Sequence, residues 1–290
     1  MRRLLIALLI LLPLAPARAD TAPRLGNLST AIAAVNGARS SITVSAYTLS
    51  PHQEFLRALE AAAARGVRVH LVLTGDGFDY AIAQNREIAA RPVGMRVELL
   101  SRPIHLKALV VDGGRIVALD DENFSRCGAL VTLDSDYALP VERAAVGDPQ
   151  DALPLTLTKS RSLALEAALI DHARHDVTVE TESFSGGNAV ANALAEALAR
   201  HVSVTLTVAS PEAMRNQAER ATLDALARAG ATVYFQHGTA KGAIIDGRVG
   251  WIGSSNATEG LEEQIDWGYA SDDPQFVRTL ARDLAHPPCV

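Results

Sequence analysis

Lys107 with Asp112 and Lys241 with Asp246 repeat one spacing in opposite halves of a 290-residue chain. Each lysine stands before a short apolar run that ends at the aspartate and a glycine turn. His105 lies two residues before the first lysine, whereas Thr239 holds that place before the second. Buried ammonium groups suit a bound anion. An imidazole with an ordinary pKa of about 6.5 can attack as a nucleophile or carry a proton near neutral pH. Shortly after each pair the chain offers further polar groups: Asp120, Asp121, Glu122 and Asn123 in one half, Gly253, Ser254 and Asn256 in the other. Glu180 and Glu182 alternate along a strand and so share a face. In isolation two carboxylates suggest glycoside hydrolysis, but no second feature supports that chemistry, and a polar strand end is the expectation.

The elements that must hold these groups also repeat. Ser41 to Ser50 reads as a strand, with Ser50, Pro51 and Gln53 as the N-cap, first-turn proline and capping-box partner of a helix ending near Gly66, followed by a strand from Val67 to Thr74. In the second half a strand from Asp176, an alanine-rich helix from about Asn188 and a strand from Val202 keep the same order. Ile42 lies 65 positions before Lys107 and Val177 lies 64 before Lys241; Val67 and Val202 precede the lysines by 40 and 39. Strands and helices alternating at these lengths predict an α/β fold of two homologous halves packed around one shared site. The boundaries read as 1–19 for a signal peptide, 20–150 for the first half and 151–290 for the second, with Val146 to Ser160 as the connection. His70 reads as a core or interface histidine, and His172 and His175 as surface residues at a helix end.

At these residues the chain resembles the phospholipase D superfamily, whose halves each carry His-x-Lys-x4-Asp followed by Gly-Ser-x-Asn. The first half matches through His105, Lys107 and Asp112, then Asn123 alone. The second matches through Lys241, Asp246, Gly253, Ser254 and Asn256. The resemblance implies a phosphodiester held in an electrostatic cradle, with no cofactor and no metal. It assigns catalysis to His105 as nucleophile with Lys107, Asp112, Lys241 and Asp246, and phosphate binding to Asn123, Ser254 and Asn256. Asp136 and Asp266 stand as candidates for orienting a histidine across the site. The general acid is open, because threonine replaces the second histidine; His237, two residues earlier on the same strand face, is one candidate and an ordinary loop histidine is the other. Asp120, Asp121 and Glu122 fall where the Gly-Ser step belongs. A solvated loop is the expectation for them, with calcium binding through carboxylate oxygens as the sharper alternative.

Arg2 and Arg3, an apolar run from Leu4 to about Leu14, and Ala17-Arg18-Ala19 before Asp20 have the layout of a cleavable export signal, too short to span a bilayer. A periplasmic or secreted protein with no transmembrane segment is expected. Cleavage removes three arginines and leaves 24 basic against 33 acidic residues, a formal charge of −9. That balance disfavours a general nucleic-acid binder, although an endonuclease stays open as a second alternative. Cys127 and Cys289 can form one disulfide or stay as buried thiols. Both arms lie in one chain, so a monomer suffices for the site. Two functions follow: a phospholipase D-type phosphodiesterase acting on a phospholipid or another diester through a phosphohistidine on His105, or a degenerate relative that binds a phosphate-bearing ligand or a partner without turnover.

Overall fold

The computed structural model describes residues 22–91, 94–209, 217–236 and 240–285. The predicted export signal and Cys289 lie outside them; Cys127 is disulfide-bonded. None of the described helices is long and apolar enough to cross a membrane.

The first half runs β1 (Arg24–Gly26), α1 (Leu28–Asn36), β2 (Ser41–Ala46), α2 (Glu54–Ala64), β3 (Arg68–Thr74), α3 (Asp79–Ala89), β4 (Arg96–Leu100), β5 (Ala108–Val111), β6 (Ile116–Asp120), β7 (Leu130–Leu133), a 3₁₀ turn at Ser135–Tyr137 and α4 (Ala138–Ala145). The second runs β8 (Leu155–Thr158), α5 (Lys159–Asp171), β9 (Asp176–Thr181), α6 (Ala189–Ala199), β10 (Ser203–Ala209), α7 (Gln217–Arg228), β11 (Thr232–Gln236), β12 (Gly242–Ile245), β13 (Val249–Gly253), β14 (Ile265–Ser271) and α8 (Pro274–Ala285).

Each half builds one seven-stranded sheet, and the two orders correspond strand for strand: β4-β3-β2-β5-β6-β7-β1 and β11-β10-β9-β12-β13-β14-β8. In both, the first three strands pair in parallel and the rest pair antiparallel. The duplication inferred from spacing therefore extends to every strand. It also corrects the connection: β8 corresponds to β1, so the expected linker of 146–160 contains the second half's first strand and the start of α5, and only 146–154 joins the halves.

Three apolar clusters explain why the site is rigid. One lies under α1 and α2 in the first half, one surrounds α5 and α6 in the second, and the third is shared. The shared cluster packs Leu106, Val117 and Leu119 with Ile244, Ile252, Trp267 and residues of α4 and α8. On β5, Ala108 and Val110 point into the shared core while Leu109 and Val111 point into the first half's own core, so the strand is apolar along its whole length. Backbone pairing also crosses between halves: the His105 N–H donates to the Ile265 carbonyl at 2.7 Å and the Ile265 N–H to the Pro103 carbonyl at 3.1 Å.

The start of α2 departs from expectation. The helix begins at Glu54, because the Gln53 side chain accepts from the Ser50 N–H at 3.1 Å and donates to the carbonyls of Asn123 and Phe124. The expected contact of Gln53 back to the Ser50 N–H therefore forms, but it closes a turn over residues 50–53 that the same amide ties to the first motif loop, and Gln53 becomes the N-cap residue. His70 pairs with Glu98 on the neighbouring strand at 3.1 Å, and His172 hydrogen-bonds the Ala168 carbonyl at the end of α5.

Buried carboxyl groups give the fold a pH signature. Glu166 on α5 is 2% exposed, and burial pushes its carboxyl up to about 8. Between its ordinary value and about 8 the folded protein keeps a proton that the unfolded chain releases, so stability falls as pH rises through that window. The loss is on the order of a few kcal/mol. Melting should drop by roughly 5–10 °C from pH ~5 to ~8, and Glu166→Gln should remove much of that drop in calorimetric scans. Equal slopes in the two proteins would refute the assignment.

Candidate active site

His105 and Lys107 stand just before β5, and Lys241 just before β12; the cross-half pairing of Ile104 with Ile265 brings β14 against His105. Asp266 Oδ2 lies 3.4 Å from His105 Nδ1, and Lys107 Nζ lies 2.8 Å from Nε2. With Lys107 as an ammonium, which can only donate, Nε2 accepts and the proton of a neutral ring sits on Nδ1, facing Asp266. Burial and the nearby Lys107 push the imidazole below its ordinary pKa, while Asp266 opposes them. The ring edge meets Tyr47 with centroids 5.6 Å apart, and the His105 side chain is 20% exposed. An imidazole with Nδ1 facing a carboxylate and Nε2 facing a lysine, in a partly exposed side chain, has a nucleophile's arrangement.

Asp266 is itself fixed. The Ser254 hydroxyl donates to Oδ1, and the Trp267 N–H donates to Oδ1 at 3.0 Å and to the Ser254 oxygen at 3.3 Å. Burial would raise the Asp266 carboxyl, but His105 and Lys107 hold it below the ordinary value. Ser254 is wholly buried with its proton directed to Asp266. Its hydroxyl serves the carboxylate, which differs from the predicted contact with phosphate.

The lysines have unequal surroundings. Lys107 is 1% exposed, and burial together with the charge of Lys241 lowers its pKa to about 7. Burial acts on Lys241 too, yet Glu182, Asp121 and Glu122 outweigh it and raise the ammonium. Glu182 Oε2 stands 3.3 Å from Lys241 Nζ and 3.4 Å from Asn256 Nδ2. Glu180, 2% exposed, accepts the Ala240 N–H at 2.7 Å just before the lysine, and burial raises its carboxyl to about 7. Neither glutamate is the inert polar strand end expected from alternation. Their common face was legible; that β9 lies beside β12 and delivers them to the second lysine was not.

Asp112 and Asp246 play a different part from the predicted catalytic one. Asp112 accepts from the backbone N–H groups of Arg39, Ser40 and Ser41 at 2.8–3.2 Å and pairs with Arg115. Asp246 takes the N–H groups of Arg174, His175 and Asp176 in the same manner. Both sit at the far ends of β5 and β12 from the lysines, in left-handed backbone with φ 51°, and tie the turn after each hairpin strand to the start of the adjacent strand. They shape the arms and lie away from the cradle.

Hydrogen-bond register aligns the motif loops without counting residues. Asp120 N–H bonds the Lys107 carbonyl as Gly253 N–H bonds that of Lys241, and Asp121 N–H bonds the Ala129 carbonyl as Ser254 N–H bonds that of Trp267. Asp120 thus matches Gly253, Asn123 matches Asn256, and Gly128 matches Asp266. Asp136 is exposed on the 3₁₀ turn, its N–H bonded to Asp134, so it is not the counterpart of Asp266. At Gly128 an added Cβ would lie 3.1 Å from both carboxylate oxygens of Asp120, so the Asp120 carboxyl fills the space a side chain at 128 would need. At Gly253 an added Cβ would meet the Trp267 carbonyl at 2.5 Å, which is why glycine stands there.

Asp120 and Asp121 are fully buried, contrary to the solvated loop expected. Asp120 accepts the N–H groups of Glu122 and Phe124 at 2.9 Å, and its own carbonyl accepts Trp267 Nε1–H at 3.0 Å. Asp121 accepts the Ala129 N–H at 2.7 Å with one oxygen and, with the other, the Lys241 N–H of the opposite arm at 3.2 Å. Burial raises both carboxyls, Asp121 to about 7. These carboxyls organise backbone, and among the described residues no cluster of three metal-ligating side chains forms. Asn123 uses its carbonyl to accept from Tyr47 and Thr48 N–H, which leaves its amide nitrogen as the group able to donate to a ligand. His237 and Thr239 lie outside the described residues.

The geometry can be set beside known proteins. The chain matches the family described as "Cardiolipin synthase, PLD-like domain" over residues 31–134 and again over 167–286. Its fold is similar to the crystal structure of a polyphosphate kinase from Porphyromonas gingivalis, with a TM-score of 0.63 and 16% identity over 91% of this chain and 50% of that one. It is also similar to phosphatidylserine synthase from Haemophilus influenzae Rd KW20, with a TM-score of 0.62 and 12% identity over 93% of this chain and 86% of that one. The chain therefore spans half the length of the kinase. A search of the curated proteins returns no match. With the family matched once in each half and the two arms meeting at His105, Lys107 and Lys241, the chain belongs to the phospholipase D-like family.

Proposed function

We propose that the protein is an exported phosphodiesterase that cleaves or transfers a phosphodiester, phospholipid or other, through a covalent intermediate on His105. One observation carries this reading: the His105 ring stands between Asp266, 3.4 Å from Nδ1, and Lys107, 2.8 Å from Nε2, beside the second buried lysine. On binding, a phosphate oxygen takes over the Lys107 hydrogen bond and frees the Nε2 lone pair. Nε2 then attacks phosphorus, the bond from phosphorus to the leaving alcohol oxygen breaks, and that oxygen takes a proton from solvent or from a donor such as His237. Water or a second alcohol then attacks phosphorus, the phosphorus–nitrogen bond breaks with its electron pair returning to Nε2, and the attacking oxygen gives its proton to solvent or to the group that protonated the leaving alcohol. The lysines and the amides of Asn123 and Asn256 offset the charge on the equatorial oxygens. Asp266 stabilises the imidazolium formed during attack and is not itself the base.

The alternative, phosphate binding without turnover, draws on Thr239, since loss of a general acid typically costs about 10²- to 10⁴-fold. A diester whose alcohol leaves without help separates the two readings. Such a substrate should give a burst of alcohol and, after alkaline quenching, a phosphoryl adduct on the peptide that carries His105. Absence of both burst and adduct, with the diester bound at saturation, would favour the binding protein. His237→Ala compared on good and poor leaving groups tests that residue as the proton donor: a loss confined to the poor leaving group assigns it.

A further inference from the structure

Glu182 holds a position that the duplicated fold makes conspicuous. Counted from the paired strands β2 and β9, it corresponds to Tyr47, whose ring lies against His105 and whose hydroxyl accepts the Phe78 N–H at 2.8 Å. In the second arm a carboxylate replaces that aromatic ring. Its Oε2 touches Lys241 Nζ at 3.3 Å and Asn256 Nδ2 at 3.4 Å, the two donors this arm can offer to phosphate. The side chain is 55% exposed, so it reaches the buried Lys241 and the half-buried Asn256 from the open side of the site. Lys241 first, and then Asn256 and Lys107, hold its carboxyl at about 2, against the opposing effect of burial.

We propose that Glu182 is a specificity-determining residue. Its carboxylate occupies the second arm's phosphate position until a diester displaces it, and its charge discriminates against phosphates that carry two charges. This rests on the reading of the lysine and asparagine arms as a phosphate cradle. A diester brings one negative charge. A monoester or free phosphate, with a second pKa near 6, brings about two at pH ~8. The displaced carboxylate stays close to the ligand, in a partly desolvated site where like charges repel strongly. The dianion meets the larger opposition, and the cradle's remaining positive charge is already offset by Asp266 at the other arm.

Calorimetric titration of the full chain with inorganic phosphate, methyl phosphate and dimethyl phosphate at pH ~8 tests this. The wild type should bind dimethyl phosphate more tightly than either dianion. Glu182→Gln should tighten inorganic phosphate and methyl phosphate by roughly 10- to 100-fold and dimethyl phosphate by only about 3-fold, reversing the order. Glu182→Ala should follow Glu182→Gln, because both remove the charge. If both variants bind the dianions no better than the wild type, Glu182 serves to hold Lys241 in place and the proposal is overturned, while diester binding still upholds the cradle. If neither wild type nor variants bind any of the three, the cradle reading itself falls.

Discussion

Turnover should fall by about 10⁴- to 10⁶-fold when His105 is replaced by alanine, the scale seen when a covalent nucleophile is removed from a preorganised site. The loss should be the same for good and poor leaving groups, because without Nε2 no bond to phosphorus forms whatever the alcohol. Binding of dimethyl phosphate should change little, since Lys241, Asn123 and Asn256 stay in place. Lys107 would lose its 2.8 Å contact and, with the ring gone, gain access to water, so its ammonium should titrate closer to the ordinary lysine value. A His105→Ala protein that hydrolyses any diester at the wild-type rate would remove His105 from the mechanism. One that fails to bind would show that the ring also supports the cradle.

Asp266→Asn should cost about 10²- to 10⁴-fold in kcat with a small change in KM, because an amide can present a donor to Nδ1 and favour the wrong tautomer. Its side-chain oxygens now hold the Ser254 hydroxyl and the Trp267 N–H on one side and face the imidazole on the other. The pH dependence has a definite sign. Burial and Lys107 lower the His105 pKa, and Asp266 is the group that resists them. Removing its charge lowers the imidazole further, so the acidic limb of the rate profile, where His105 must be neutral, should move to lower pH. A merely structural role would reduce the amount of folded protein and leave the limb where it was. Adduct formation on His105 should slow equally for good and poor leaving groups, which separates this variant from loss of a proton donor.

How much of this could be read in the chain differs from residue to residue. The two arms were legible because the intervals of 65 and 64 residues reflect strands and helices of nearly equal length, and the sheets repeat that order strand for strand. His105, Lys107 and Lys241 come together as the repeated motifs and the resemblance implied, and of the two aspartates the resemblance offered, Asp266 joins them. Asp136 was misplaced because the loop between β6 and β7 is shorter than that between β13 and β14, so counting along the chain passes Gly128, and only the hydrogen-bond register finds it. Ser254 was expected to face phosphate, yet its hydroxyl turns inward to the one acceptor that must be held still. Asp120 and Asp121 looked like a solvated acidic run. Burial of such a run needs backbone donors, and those come partly from the opposite half, through the Lys241 N–H. Glu182 was beyond reach for a related reason: alternation shows which face it takes, whereas its partners sit on another strand and in another loop.

The exchange of side chains between Asp120 with Gly128 and Gly253 with Asp266 sets which substitutions could make the two arms alike. By the register of the motif loops, the first arm has Gly128 where the second has Asp266, so it offers no carboxylate at that place. An aspartate introduced at 128 would be driven against the carboxyl of Asp120, 3.1 Å from where its Cβ must stand. Glycine at 120 alone would remove the acceptor for the Glu122 and Phe124 N–H groups and open a buried void. Making the two arms alike at this place therefore needs changes at 120 and 128 together. The Asp120 carboxyl, seated in the space beside Gly128, builds the difference between the two arms into the packing of the first.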